Sequence, residues 1–183
     1  MGQALALRRG RARGVGLTTP VLLVLGGLPG SGKTTIAREL ARRLSAVHVR
    51  VDTIEQALRS LGKEVGPDGY LIAYGVAEDN LRVGRTVIAD SVNPLPVTRD
   101  AWRAVGERCT VKVAEIEVIC SDPATHRRRV ETRASDIEGL RLPTWQAVLE
   151  RDYQPWDRER LVVDTAAGDV ASAVSGLIAR LGF

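Results

Sequence analysis

The octet Gly27-Leu28-Pro29-Gly30-Ser31-Gly32-Lys33-Thr34 constrains this chain more than any other feature. Two glycines bracket four residues, and a lysine and a threonine follow. Whether this pattern indicates a function depends on the structure predicted before and after it. An apolar, partly β-branched run precedes the octet at residues 21–25, and Ile36, Leu40 and Leu44 recur every four residues after it. The octet therefore joins a buried strand to the start of an amphipathic helix.

A strand, such an octet and a helix in this order predict a phosphate-binding loop, or P-loop. Glycines allow successive N–H groups to point at one site, and the positive end of the helix dipole adds to the attraction for an anion. We expect Lys33 to reach the outer phosphates, the Thr34 hydroxyl to ligate Mg²⁺, and Thr35 to complete the binding segment. The sequence thus predicts a protein that binds ATP or GTP with Mg²⁺, rather than a glycine-rich turn beside a chance lysine.

Apolar runs alternate with helical patterns along the rest of the chain. Strands are predicted at residues 21–25, 47–52, 86–90, 111–120 and 161–164, and helices at 35–44, 53–61, 70–83, 97–108, 123–133, 145–153 and 169–181. This alternation predicts an α/β fold, a parallel sheet with helices on both faces, in one domain at residues 20–183. Ligands of such sheets lie beyond the carboxyl ends of the strands, where Asp52, Asp90 and Asp164 stand.

Two of these acids are candidates for chemistry. Asp52 is the first choice for the carboxylate that orients an acceptor hydroxyl and takes its proton, although it also suits the N-cap of a helix starting at Thr53. Asp90 ends the run Thr86-Val87-Ile88-Ala89, as the Mg²⁺-binding acid of a Walker B strand does. The alternative is that Asp90 binds the substrate together with Ser91 and Asn93.

Arginines supply the remaining candidates. Five follow the fourth strand: Arg127, Arg128, Arg129, Arg133 and Arg141. Arg129 and Arg133 lie four apart on one helical face and are predicted to stabilise the transferring phosphoryl group from a mobile lid, the alternative being a solvated helix face. Arg99 is a candidate for holding substrate or phosphate. We expect His48 and His126 to be structural or solvated.

The charge of the chain is unevenly placed. The only charges in the first 19 residues are Arg8, Arg9, Arg11 and Arg13, which equal the net charge of +4, so the remainder is formally neutral. Residues 1–19 are predicted to be a basic, disordered arm. A neutral body lacks the field of a nucleic-acid-binding protein, so nucleic acid is not an expected partner.

Location and assembly are less constrained. No run of 18 apolar residues predicts a membrane span, and Cys109 and Cys120 show no metal-binding spacing and imply no oxidising compartment. A cytoplasmic protein is expected. The oligomeric state is left open.

The ordered set of P-loop, Asp52, Asp90 and an arginine-rich helix resembles the small P-loop kinases. These include chloramphenicol phosphotransferase, phage polynucleotide 5′-kinase, gluconate kinase, the zeta toxins and a bacterial group of AAA-type kinases of undefined substrate. The resemblance covers residues 21–181. It implies the three-layer sandwich of P-loop NTPases with strand order 2-3-1-4-5, Asp52 as base, Lys33 and Thr34 on phosphate and Mg²⁺, and lid arginines at Arg129 and Arg133.

The acceptor implied is a hydroxyl of a small molecule. Members of the polynucleotide kinase branch carry an arginine three residues after the aspartate, where this chain has Glu55, which argues against a polynucleotide substrate. The Arg- and Ala-rich composition suggests a GC-rich bacterium, so self-resistance by phosphorylating a nucleoside antibiotic such as capuramycin is one specialisation. The alternatives are a toxin that phosphorylates nucleotide sugars and a nucleotide switch, the latter disfavoured because the Asn-Lys-x-Asp motif is absent.

Overall fold

The computed structural model describes residues 19–166 and 168–183. The prediction for the basic arm therefore lies outside the described residues except at Thr19. The strands are β1 (Val21–Gly26), β2 (Val47–Arg50), β3 (Val87–Asp90), β4 (Lys112–Ile119) and β5 (Leu161–Asp164). The helices are α1 (Lys33–Leu44), α2 (Val51–Ser60), α3 (Asp68–Arg82), α4 (Pro96–Arg108), α5 (Pro123–Thr132), α6 (Trp145–Leu149) and α7 (Val170–Leu181).

The five strands form one parallel sheet in the order β2-β3-β1-β4-β5. This confirms the predicted fold, the three-layer α/β sandwich of P-loop NTPases. Every residue of β1 is buried, as expected of a central strand covered on both faces. Leu23 and Leu25 point to the layer formed by α1 and α7, whereas Leu22 and Val24 point to the layer that contains α3 and α4.

Two element ends differ from the prediction. The strand β2 stops at Arg50, because Val51 turns into the core as the first residue of α2. The helix α6 ends at Leu149 rather than near Tyr153, since the backbone of Gln154 is held by Pro94 and Arg99. In both places tertiary contacts override a local pattern. Within the described part of the chain, none of the helices has the length and apolar character needed to cross a bilayer.

Candidate active site

The loop between β1 and α1 has the backbone that its glycines were predicted to permit. The φ angle is +141° at Gly27, +84° at Gly30 and +97° at Gly32. A Cβ atom at Gly27 would lie 2.1 Å from the carbonyl oxygen of Val118, and one at Gly30 would lie 2.5 Å from Cγ2 of Val130. Glycine is therefore required at positions 27 and 30 both for the conformation and for the close approach.

The loop leads into a helix N-terminus with free donors. Gly32 is the N-cap residue of α1 and has no side chain to accept the first N–H groups, and the first turn contains no acidic residue. The Ser31 hydroxyl is also buried without a hydrogen-bond partner among the described residues. These unsatisfied donors fit a phosphate group at the predicted position.

Neighbouring side chains brace this loop from outside. Nε2 of His126 lies 2.8 Å from the carbonyl oxygen of Pro29. The Thr165 hydroxyl lies 2.7 Å from the carbonyl oxygen of Ser31 and accepts a hydrogen bond from Arg129. The loop is thus tied to α5 and to the segment after β5, which fixes its shape before any ligand binds.

Lys33 lies at the base of the loop with 8% of its surface exposed. Its Nζ donates to the carbonyl oxygen of Leu28 at 3.0 Å. Burial lowers the pKa of Lys33 from 10.5 to about 8, although the carboxylates of Asp90 and Asp52 oppose this shift. The ammonium group is therefore poorly solvated and bound to a carbonyl oxygen of its own loop. A phosphate oxygen, which carries more negative charge, would form a stronger hydrogen bond with it.

Asp90 ends β3 and is almost fully buried, with 3% of its surface exposed. Burial alone raises the pKa of Asp90, but the hydrogen bond with His48 and the charge of Lys33 lower it below the usual value, and Thr34 contributes another hydrogen bond. The distance from Nε2 of His48 to the carboxylate is 3.1 Å. Asp90 is therefore an ionised carboxylate next to the Thr34 hydroxyl.

This pair of oxygen donors fits Mg²⁺. Magnesium prefers hard oxygen ligands and is held in phosphotransfer sites by one or two protein side chains together with phosphates and water. Thr34 and Asp90 meet that requirement at the mouth of the P-loop. They would hold the ion where it offsets the negative charge of the phosphates.

Asp52 lies in the first turn of α2, with 46% of its side chain exposed. The structure corrects the capping alternative: the helix starts one residue earlier, its N-cap residue is Arg50, and no side chain makes a cap hydrogen bond there. The negative charge of Asp52 favours the protonated forms of Lys33 and Arg133 and so opposes the lowering of their pKa values by burial. Its carboxylate is therefore open to solvent and close to the P-loop lysine.

One cleft of about 1360 Å³ connects these groups. It is lined by the P-loop, by the ends of β2 and β3, by α2, and by the chain between α5 and α6. Predicted site residues on its wall are Pro29, Gly30, Gly32, Lys33, Thr34, Thr35, Asp52, Asp90, Ser91, Arg129, Arg133 and Arg141. Asp164 also lines the cleft, but its carboxylate accepts hydrogen bonds from the N–H groups of Ser121 and Ala166 and so shapes two loops.

The two predicted lid arginines differ in their contacts. Arg129 donates to the hydroxyl and the carbonyl oxygen of Thr165, at 2.7 and 2.9 Å, so most of its hydrogen-bonding capacity is used within the protein. Arg133 has a buried Nε without a hydrogen-bond partner among the described residues, and burial lowers its pKa. Arg151, which no sequence pattern indicated, lines the same cleft, and its positive charge helps to lower the pKa of Lys33.

The chain between α5 and α6 lies across the cleft and is tied down at residue 136. Asp136 forms ion pairs with Arg38 of α1 and with Arg50 of β2. Partial burial would raise the pKa of Asp136, but hydrogen bonds from these two arginines lower it to about 2. Further along, a Cβ at Gly139 would lie 2.9 Å from Nε2 of Gln56 on α2.

Arg99 does not have the predicted role. Its side chain is fully buried and donates to the carbonyl oxygens of four residues, and it stacks over the Trp156 ring at 4.1 Å. The four acceptors are Asn93, Pro94, Gln154 and Pro155. Arg99 therefore joins the loop after β3 to the segment before β5, and the prediction that it holds substrate is wrong.

Asn93 differs from Arg99, because its side-chain amide is buried without a hydrogen-bond partner among the described residues. It is fully buried in a left-handed turn with φ of +51°, and it is not on the wall of the cleft. Its backbone N–H donates to the Tyr70 hydroxyl at 3.1 Å. The backbone of Asn93 thus shapes the loop that places Ser91 in the cleft, and a contact of its amide with substrate stays a prediction.

The family described as an AAA domain, AAA_33, matches residues 22–151, which includes the P-loop, both candidate acids and the arginine-bearing segment. The chain belongs to the AAA_33 family. The expected membership among the small P-loop kinases is thereby confirmed.

Relatives of this AAA_33 protein are named as kinases. An adenylyl-sulfate kinase of Shewanella sp. (strain MR-4) is 30% identical over 170 residues, covering 87% of this chain and 80% of the relative. The APS kinase of Mycobacterium tuberculosis in complex with AMPPNP and APS superimposes with a TM-score of 0.67 at 17% identity, covering 90% and 99% of the two chains. A gluconokinase from Sinorhizobium meliloti 1021 gives 0.61 at 20% identity, covering 89% and 94%.

Several residues of the AAA_33 site escaped sequence reasoning. His48 and Arg50 alternate with valines in β2, and Arg50 lies opposite Asp90 in the register of β2 and β3. That register was the only signal available for them. Arg151 and Asp136 lie in irregular segments, where no periodicity indicates which side chains face the cleft.

Proposed function

We propose that this protein is an ATP- and Mg²⁺-dependent phosphotransferase that moves the γ-phosphoryl group to a hydroxyl group of a small molecule. One observation carries the proposal: the exposed carboxylate of Asp52 and the buried ammonium of Lys33 are close enough to interact and line the same cleft. A phosphoryl donor and a hydroxyl acceptor need this pair side by side.

The donor half is the P-loop. The N–H groups of residues 32–35, at the start of α1, and the ammonium of Lys33 bind the phosphates, because they offer donors and positive charge in a site largely closed to water. Thr34 and Asp90 are the ligands proposed for Mg²⁺, which when bound supplies positive charge to the phosphate oxygens.

The acceptor half contains Asp52. Its carboxylate orients the acceptor hydroxyl and takes its proton as the hydroxyl oxygen bonds to the γ-phosphorus. The bond from that phosphorus to the bridging oxygen breaks, and the nucleoside diphosphate leaves. Ser91 lies on the wall of the cleft beside Asp90 and is proposed to contact the acceptor.

Arginines complete the site from the chain after α5. Arg133 and Arg151 are proposed to meet the charge that spreads over the transferring group, because both line the cleft and the buried Nε of Arg133 has no hydrogen-bond partner among the described residues. Arg129 is proposed to act indirectly, by holding Thr165 against the P-loop.

A panel of acceptors tests the proposal. The protein is incubated with γ-labelled ATP or GTP, Mg²⁺ and one acceptor at a time: adenylyl sulfate, gluconate, chloramphenicol, a nucleoside antibiotic, a nucleotide sugar or a 5′-hydroxyl oligonucleotide. We expect label on a small molecule, with ATP as the preferred donor. Release of inorganic phosphate at one rate whatever the acceptor would instead indicate a hydrolase or a switch.

A further inference from the structure

Arg50 is the last residue of β2 and the N-cap residue of α2, and the proposed function gives it no role. Only 13% of its side chain is exposed, and its partner in the register with β3 is Asp90. A guanidinium group so little solvated needs negative partners to be stable. The carboxylates around Arg50 therefore indicate which groups it positions.

Three carboxylates surround this one guanidinium. Nη1 lies 3.0 and 2.9 Å from the two carboxylate oxygens of Asp136. Nη2 is 3.9 Å from Asp52, and Nε is 3.9 Å from Asp90. The planar fork of an arginine side chain can face several carboxylates at once in this way, whereas an ammonium group offers one point of charge.

The contact to Asp52 matters because this carboxylate has little else to orient it. Among the described residues, Arg50 is the only cation within ion-pair distance of Asp52. Asp52, in the first turn of α2, and Asp90, at the end of β3, are like charges, and a cation between them offsets their repulsion. Removing the cation would leave Asp52 free to turn toward solvent.

Through its contact with Asp136, Arg50 also positions the segment on the other side of the cleft. Asp136 lies three residues after Arg133, whose half-buried guanidinium is close enough to Asp52 for their charges to interact. A second arginine, Arg38 of α1, also pairs with Asp136. Holding Asp136 therefore fixes the position of the segment that carries Arg133.

We infer that Arg50 is a positioning residue of the transfer reaction, an inference that rests on the proposed function. Its guanidinium orients Asp52 toward the acceptor and, through Asp136, holds Arg133 over the cleft. Arg50 meets Asp136 and Asp52 with two different nitrogens, whereas a lysine offers a single ammonium that cannot lie beside both carboxylates at once.

Two independent readouts test this inference. The first is hydrogen–deuterium exchange of peptides covering residues 133–143 in the ligand-free protein, which needs no activity. The second is the kinetics of transfer to an acceptor found in the panel, with affinity for Mg²⁺–AMPPNP measured separately. The variants are Arg50→Gln, Arg50→Lys, Asp136→Asn and the double variant Arg50→Gln/Asp136→Asn. The matched control is Arg127→Gln, which breaks an exposed ion pair on α5.

The expected results separate positioning from folding. Arg50→Gln should lower kcat at least about tenfold, toward the roughly hundredfold that a misplacement of about 1 Å can cost, with nucleotide affinity changed less than about threefold. Arg50→Lys should recover part of kcat while exchange at 133–143 stays fast. Asp136→Asn, at a position where 45% of the side chain is exposed, should also accelerate exchange. Because Asp136→Asn weakens the pairs with both Arg50 and Arg38, the double variant should exchange no faster than Asp136→Asn alone.

Other results would overturn the inference. Parent-like kcat and exchange in Arg50→Gln, or purely additive exchange effects in the double variant, would show that Arg50 does not couple these groups. An Arg127→Gln control that behaves like Arg50→Gln would show a general effect of removing an arginine. A parent protein that transfers to no acceptor would refute the proposed function instead, and the exchange data would still report on the link between Arg50 and Asp136.

Discussion

Lys33 is expected to make the stability of the ligand-free protein depend on pH. Burial lowers the pKa of Lys33 from 10.5 to about 8. Between these values the unfolded chain holds a proton that the folded chain has released, so stability must rise with pH across this window. The same burial that prepares the ammonium for phosphate thus costs stability near neutral pH.

The size of the effect follows from the two pKa values. With 10.5 in the unfolded chain and about 8 in the folded chain, proton linkage gives a gain of about 2 kcal/mol between about pH 7 and 9.5. Lys33→Met removes the titrating group at nearly the same volume and should lose this gain. Lys63→Met, in an exposed loop, should keep it.

Urea unfolding followed by tryptophan fluorescence measures this gain across the same pH range. Other titrating groups, including the tyrosines, act alike in the three proteins and cancel in the comparison. Parallel pH profiles for the parent and Lys33→Met would refute the reasoning, because they would mean that the Lys33 ammonium is not destabilised in the folded protein.

Three further predictions concern the loop, the covering segment and the buried arginine. Lys33→Ala should lower labelled-phosphate turnover more than about a hundredfold, the scale of one preorganised charged contact, and near-normal turnover would contradict the P-loop assignment. Residues 134–143 should be cleaved by a protease more slowly with AMPPNP and acceptor than without ligand, whereas equal cleavage would indicate a static loop. Arg99→Gln should lower the free energy of unfolding by roughly 3 to 5 kcal/mol in urea titrations, because buried carbonyls lose their donor, and leave KM unchanged; a raised KM at parent stability would restore the substrate role.

The parts of the site that lie close together in the sequence could be predicted from it. The P-loop, Lys33 and Thr34 form one continuous segment whose function depends on local backbone geometry. The Walker B-like Asp90 follows a short apolar run, so its place at a strand end was also a local inference. The strand order came from the resemblance to P-loop kinases and not from the pattern of apolar residues.

Long-range pairing could not be predicted. Asp136 pairs with Arg38 and Arg50, 98 and 86 residues away along the chain, and nothing local indicates either partner. The sequence suggests that Arg99 contacts substrate or phosphate, whereas in the structure it shares a buried helical face with Trp102. Its partners are backbone carbonyls of a distant irregular segment, which the identities of those residues do not reveal.

The central claim is phosphoryl transfer to a hydroxyl with Asp52 as the base, and single-turnover transfer by Asp52→Asn tests it most directly. Asparagine is nearly isosteric and cannot accept the proton, and since the Asp52 side chain is 46% exposed the fold and the affinity for AMPPNP should change little. We predict that rapid-quench measurements show transfer roughly a hundredfold to ten-thousandfold slower than in the parent. A variant that binds nucleotide and acceptor normally and transfers at the parent rate would contradict the account and pass the role of base to Asp90.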